Sequence, residues 1–249
     1  GTTGYEEAAG LGLMAGVNAC LAIDGKPAFV LRRDEAYIGV MIDDLVTKGI
    51  DEPYRLLSSR AEFRLLLRHD NADIRLSEYG FQIGLLPKQA YQRFRKKQED
   101  IAFALETLSN KNVPDKEGLK TLFESKGIAY KGEGHKGVDL LKRPEFSYRD
   151  LEALYEELNV LGLSFDAILS LETIVKFEGY LAKQKREAER LSKAEGMTLS
   201  PDYDYLRMDG LRLEARQKLD AIRPLSIAQA SRIPGVNPAD ISILLLHIR

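Results

Sequence analysis

From Lys88 to about Ser109 the apolar side chains recur at helical spacings, with Tyr91, Phe94, Ile101, Leu105 and Leu108 in register. Nothing after about residue 75 alternates as a half-buried strand does. Other helix signals follow in order. Pro114 begins a short helix through Phe123, and Ser147-Tyr148-Arg149-Asp150 caps another that runs to about Leu158. One long helix is predicted from Ile168 to Glu195, apolar at first (Leu171, Ile174, Val175, Leu181) and then charged from Lys183 onward. Opposite charges four apart, Lys183–Glu187 and Lys185–Glu189, mark the charged half as solvated, and Gly196 is the natural cap. A further helix spans Leu213 to Ala221, followed by two short ones. The glycine-rich stretch 127–144 reads as a loop, and with the Leu161-Gly162 break it divides the chain. Such a pattern predicts a mainly α fold in small helical bundles.

The chain opens on a helix start. Thr3 is the expected N-cap, with Glu6 completing a capping box. Ala8, Gly12 and Gly16, with Ala15 and Ala19, form a small-residue stripe that predicts close packing on another backbone, because glycine inside a helix is otherwise costly. The helix is expected to end at Asp24-Gly25-Lys26-Pro27, and Cys20 is read as a packing residue. Asp51-Glu52-Pro53 starts a turn, and Ser59-Arg60-Ala61-Glu62 reads as a second capping box.

Composition limits the chemistry. A single cysteine gives no internal disulfide framework and fits a reducing compartment, and the three histidines are scattered without metal-ligand spacing. No apolar run approaches the ~18 residues needed to span a bilayer. The net charge of −2 means that any nucleic-acid surface must be a local patch. The acid pairs Asp43-Asp44 and Glu156-Glu157 are adjacent, point apart on a helix and form no dyad; no catalytic residue is assigned.

Three groups of residues are candidates for binding. Arg55, Arg60, Arg64, Arg68 and Arg75, preceded by Arg32 and Arg33, form an arginine cluster; a helix would place Arg60, Arg64 and Arg68 on one face, where guanidinium forks suit a phosphate backbone. Glu62, Asp70 and Asp73 are the acids that would neutralise it internally. The second group is a C-terminal hairpin. Ser226 and Gln229 open one helix, Ile233-Pro234-Gly235-Val236 makes the turn, and Asn237 caps the last helix with Pro238 at its first position. It resembles a helix–hairpin–helix unit but has Asn237 where a second glycine is usual, which favours docking on protein. The third group comprises aromatics beside basic residues, Tyr37, Tyr54, Phe177, Tyr180, Tyr203 and Tyr205, which suit base stacking or a core.

The order of motifs adds a family. Gly1-Thr2-Thr3-Gly4-Tyr5-Glu6-Glu7-Ala8-Ala9, Glu35-Ala36-Tyr37-Ile38-Gly39-Val40, Asp43-Asp44-Leu45, Glu52-Pro53-Tyr54-Arg55, Ser59 through Arg68, Asp70-Asn71-Ala72-Asp73, Arg143-Pro144-Glu145, Lys176-Phe177-Glu178-Gly179-Tyr180 and Gln229 through Val236 resemble, in register, the MnmG (GidA) family of FAD-dependent enzymes that modify C5 of the wobble uridine of tRNA. In that family a dinucleotide-binding domain with redox cysteines comes first, and neither is found here.

The resemblance implies a multi-helix C-terminal region that opens with the terminal helix of a truncated FAD-binding domain (1–25). A connecting segment with an arginine-rich helix (26–86) and two helical subdomains (87–166 and 167–249) follow. It implies FAD and NADH as cofactors of the intact enzyme, methylene-tetrahydrofolate as a reactant, tRNA and the GTPase MnmE as partners, a homodimer and a cytoplasmic location, with no membrane. Thr2, Thr3, Gly4 and Tyr5 would face the flavin in the intact protein; no cofactor and no activity are expected of this chain alone. Arg32, Arg33, Arg55, Arg60, Arg64, Arg68 and Arg75 would line the tRNA path, and Lys176, Tyr180, Arg232, Gly235 and Asn237 would meet the partner. The alternative is a helical adaptor that binds only protein.

Overall fold

The computed structural model describes residues 2–48, 52–132 and 134–247; Gly1 of the opening motif and Asp51 of the expected turn lie outside them. Thirteen α-helices follow one another among the described residues, and the extended segments meet only in isolated bridges, so the fold is mainly α. They are α1 (Tyr5–Ile23), α2 (Tyr37–Thr47), α3 (Ala72–Gln82), α4 (Lys88–Asn110), α5 (Lys116–Ser125), α6 (Gly137–Leu141), α7 (Tyr148–Glu152), α8 (Glu156–Leu161), α9 (Phe165–Lys176), α10 (Glu178–Glu195), α11 (Leu213–Ile222), α12 (Ile227–Arg232) and α13 (Pro238–His247). Two compact units result, one made of 1–67 with 183–249 and the other of 68–182. This division does not follow the expected one at 166, because Leu171 and Val175 of α9 share a core with α4.

In the unit 68–182 the helical face predicted for α4 is realised. Ile101, Ala104 and Leu108 pack with Leu119 and Phe123 of α5, Leu140 and Leu141 of α6, Tyr148 and Leu151 of α7, Leu158 of α8 and Leu171 of α9. Fully burying each large apolar side chain contributes about 1.5–3 kcal/mol, so this shared core holds against the long α4 five helices of 12 residues or fewer, which are individually too short to be stable. Ser147 and Asp150 form the predicted capping box. Tyr155 ties the glycine-rich stretch to α4: its hydroxyl accepts from the Gly137 amide at 3.0 Å and donates to the Lys111 carbonyl at 3.2 Å. The stretch read as a loop therefore contains α6, whose Gly137 fits because a Cβ there would lie 2.4 Å from Leu108.

The predicted long helix breaks at Phe177. The C-terminal end of α9 is held elsewhere: Lys176 Nζ donates to the Phe146 carbonyl at 2.9 Å, and the Glu172 carboxylate accepts from the Tyr148 amide at 2.6 Å. Gly179 in the first turn of α10 lowers helix propensity at the same place.

In the other unit, α11, α12 and α13 enclose Tyr205, Leu211, Leu219, Ile233 and Leu244. Asn237 caps α13 as predicted, its Oδ1 accepting from the Ala239 and Asp240 amides at 3.0 and 3.1 Å. The start of α1 differs from expectation: Gly4 is its N-cap, with no side-chain cap. Its small-residue stripe also faces outward, since Gly12 and Gly16 have open space where a Cβ would stand, whereas Gly10 packs on Ile38 and Met41. Cys20 is exposed rather than packed. By length and composition α1 is apolar enough to cross a membrane, contrary to the sequence reading, and little of it is buried within the chain.

Candidate nucleic-acid and partner interface

The arginine cluster folds into an ion network instead of a helical row. Residues 61–67 form turns, anchored by the buried side chains of Ala61, Phe63 and Leu67. The four-residue spacing therefore aligns nothing, and the capping box at Ser59 does not form. Ser59 sits inside the short turn 58–60, whose N-cap is Leu57, and the Glu62 carboxylate accepts instead from Arg33 Nη2 at 2.8 Å.

Arg33 is the hub. Only 2% of its side chain is exposed, and its Nη1 reaches Asp44 at 2.7 Å, Asp43 at 3.1 Å and the Val40 carbonyl at 3.2 Å. Burial disfavours its charge, but Glu62 and Asp44 outweigh that and raise its pKa. Arg33 is thus a structural cation, buried rather than presented at the surface. The approach depends on Gly39, where a Cβ would stand 2.3 Å from the Arg32 carbonyl oxygen. Asp44, fully buried, also accepts from Lys48 at 2.7 Å and from the Tyr54 hydroxyl at 3.0 Å. Burial pushes the Asp44 carboxyl up, but the hydrogen bonds from Lys48 and Arg33 win and hold it below the usual range. Tyr54 moves the other way, raised by burial and by Asp44.

The remaining arginines divide by partner. Arg60 lies over the Tyr54 ring at 4.7 Å and donates to the Arg55 carbonyl. Arg55 meets Glu7 at 3.2 Å, and Arg32 meets Asp34 and Glu35. In the unit 68–182, Arg68 forks onto Asp70, and Arg75 donates to Asn71 and the Arg68 carbonyl. Arg64 is exposed and forms no ion pair among the described residues.

At the start of α1, Thr2 bridges to Tyr54, and Glu7 accepts from the Leu56 amide at 2.9 Å. That amide, chiefly, holds the Glu7 carboxyl below its ordinary range. The other oxygen, Oε2, is buried without a hydrogen-bond partner and lies 1.8 Å from where a Gly4 Cβ would stand. Thr3 and Tyr5 are exposed.

Most of the expected partner contacts are also engaged within the chain. Lys176 is turned onto Phe146, and Arg232 bonds Asp43 at 2.8 Å and Glu195 at 2.6 Å. Gly235, at φ 98°, accepts from Arg212 through its carbonyl, and the Glu214 carboxylate crowds its Cα. A phosphate approaching that turn would meet this acid, which adds to the case against the hairpin as a nucleic-acid element. Asn237 is a cap, and Tyr180 alone of the five is exposed, at 68%. Among the aromatics, Tyr54 and Tyr205 are core, and Tyr203 bonds the His247 carbonyl. Sequence reasoning named Glu62 and Asp70 among the neutralising acids, and they pair with Arg33 and Arg68, but it missed Asp43, Asp44 and Glu195 as partners of Arg33 and Arg232; only the Asp44–Lys48 pair had a local, four-residue signal. Among the described residues no group of His, Cys, Asp and Glu could hold a metal.

Comparison with known proteins covers the chain in three segments. Residues 1–27 match the family model for glucose inhibited division protein A, 88–185 that for the tRNA modifying enzyme MnmG/GidA C-terminal helical domain, and 187–249 that for its C-terminal helical bundle. The tRNA uridine 5-carboxymethylaminomethyl modification enzymes MnmG of Alkaliphilus oremlandii and Alkaliphilus metalliredigens are 49% and 50% identical over 248 residues, covering 100% of this chain and 39% of each relative. The form II crystal structure of Aquifex aeolicus GidA superposes with a TM-score of 0.80 at 38% identity, covering 100% of this chain and 38% of that one. The chain thus spans well under half the length of these relatives, and it belongs to the MnmG/GidA family.

Proposed function

We propose that the chain is the C-terminal recognition region of an FAD-dependent enzyme that modifies C5 of the wobble uridine in tRNA, acting as a cytoplasmic homodimer with the GTPase MnmE. The observation that carries this reading is the identity of about half of all positions, over the whole chain, with enzymes named for that modification. The work of the region is to bind tRNA and partner, while the flavin, reduced by NADH, supplies the redox chemistry in the longer protein.

The residues at the start of α1 fit one part of that cofactor. The helix has no side-chain cap, so its first-turn amides are available as donors. The buried Glu7 carboxylate beside Gly4 disfavours a phosphate there. Thr2 to Tyr5 therefore suit a neutral acceptor, such as a carbonyl of the flavin ring. The engaged state of most arginines narrows the tRNA surface to side chains that are still free, Arg64 first among them.

The test is mass spectrometry of wobble nucleosides in tRNA incubated with the full-length protein, MnmE, FAD, NADH, GTP, methylene-tetrahydrofolate and an amine donor, ammonium for the aminomethyl group or glycine for the carboxymethylaminomethyl group. Appearance of the 5-aminomethyl or 5-carboxymethylaminomethyl nucleoside is expected; unmodified uridine would overturn the reading. The 249-residue chain alone should show no flavin absorbance after purification and added FAD, and a stoichiometric flavin spectrum would refute that part.

A further inference from the structure

We infer that the outer face of α10, with Arg64 beside it, is a phosphate-backbone contact for RNA. Lys183, Arg186, Arg190 and Lys193 are spaced three, four and three residues apart, which puts them on one helix face about 15 Å long. All four are exposed, and none forms an ion pair among the described residues. The pairings Lys183–Glu187 and Lys185–Glu189, which the sequence offers, do not close.

The face is held in place from behind. Gln184 Oε1 accepts from the Leu65 amide at 3.0 Å, Ala188 is buried, and Glu195 binds Arg232 and Ser226. These three residues define the anchored side of α10, so the cations are presented without further ordering of the backbone. The Leu65–Gln184 bond also brings the backbone of Arg64 next to the first turn of this face. Between Lys183 and Lys193 five cations stand against two acids, Glu187 and Glu189, in a chain whose net charge is −2. A local positive stripe on an acidic protein complements a polyanion, and its linear spread suits successive phosphates better than one compact anion. The inference rests on the tRNA reading above and specifies which surface serves it.

The experiment measures binding of unmodified tRNA to the full-length protein by fluorescence anisotropy across a salt series. The variant carries Lys183→Gln, Arg186→Gln, Arg190→Gln and Lys193→Gln; a control carries Lys116→Gln and Lys120→Gln on α5. Each lost phosphate contact should lower the slope of log affinity against log salt by about 0.7–0.9, so the variant slope should fall by about two or more while the control is unchanged. Affinity at low salt should drop at least about tenfold, with an unaltered melting temperature. Wild-type binding with a variant slope equal to it overturns this surface alone, as does a variant that loses only GTPase binding. A wild-type protein that binds no tRNA overturns the functional reading and this surface with it.

Discussion

Arg232 Nη2 stands 2.8 Å from Asp43 Oδ1, joining α12 to α2 across 189 positions of sequence. Both side chains are close to nine-tenths buried, and Arg232 also holds Glu195 at 2.6 Å. Its Nε and Nη1 are buried without hydrogen-bond partners, so the guanidinium relies on these two acids. Removing one partner of a buried pair leaves an uncompensated charge.

Arg232→Ala is therefore expected to cost about 3 kcal/mol. Asp43→Asn should cost less, because Arg33 is still paired by Asp44 and Glu62. Urea denaturation of both single variants and the double variant measures this; purely additive effects would show that the pair does not couple α12 to α2.

Acid should loosen the unit 1–67 with 183–249 through Asp44 and Asp240. Burial raises both carboxyls, but Lys48 and Arg33 outweigh it at Asp44, and Arg212 and the Asn237 amide do so at Asp240. Their folded pKa values thus lie below those of the unfolded chain. The stabilisation is complete above the ordinary carboxylate range, about pH 4, and is lost as pH falls through the lowered folded values. Asp44→Asn, which also weakens bonds to charged donors, should cost about 2 kcal/mol near neutral pH and flatten the acid limb. A variant whose acid limb matches the parent would rule out Asp44 as its source.

The helices were legible because their signals are local. The capping residues Ser147, Ser226 and Asn237 and the α4 periodicity lie within a few positions of what they determine. The arginines were legible only in part: Arg68 and Arg32 take acids two or three positions away, whereas Arg33 is decided by Glu62 at a separation of 29 and Arg232, outside the cluster, by Asp43. A four-residue spacing indicates a face only when the backbone is helical, and Phe63 and Leu67 anchor turns there instead. On α10 the failure was the reverse. Pairing was expected from spacing, yet exposed side chains in water gain only about 0.3–0.5 kcal/mol from it.

Tyr155→Phe should destabilise the unit 68–182 by about 1–3 kcal/mol, because it leaves the buried Gly137 amide without an acceptor and the Lys111 carbonyl without this donor. The phenyl ring fills the same volume, so the loss reports the hydroxyl. Thermal unfolding compared with Tyr180→Phe, an exposed control, separates the two; equal melting temperatures would mean that water replaces the hydroxyl.

Glycines in and around the first two helices should divide sharply by position. At Gly39 an added Cβ would stand 2.3 and 2.5 Å from the backbone oxygens of Arg32 and Leu31, atoms that cannot rotate away. Gly39→Ala should therefore displace the segment that delivers Arg33 to Asp44 and cost about 3 kcal/mol, at the upper end of overpacking penalties. At Gly12 and Gly16 nothing lies within 4 Å. There alanine gains helix propensity and reduces the freedom of the unfolded chain, so each replacement should stabilise the 249-residue chain by about 0.4–1 kcal/mol. In the full-length enzyme the same two replacements test what the stripe is for: if α1 packs closely on the preceding domain through these glycines, the gain turns into a loss. Denaturation midpoints of Gly12→Ala and Gly16→Ala in both contexts decide the matter, and a gain of equal size in each would show that the stripe meets no neighbour.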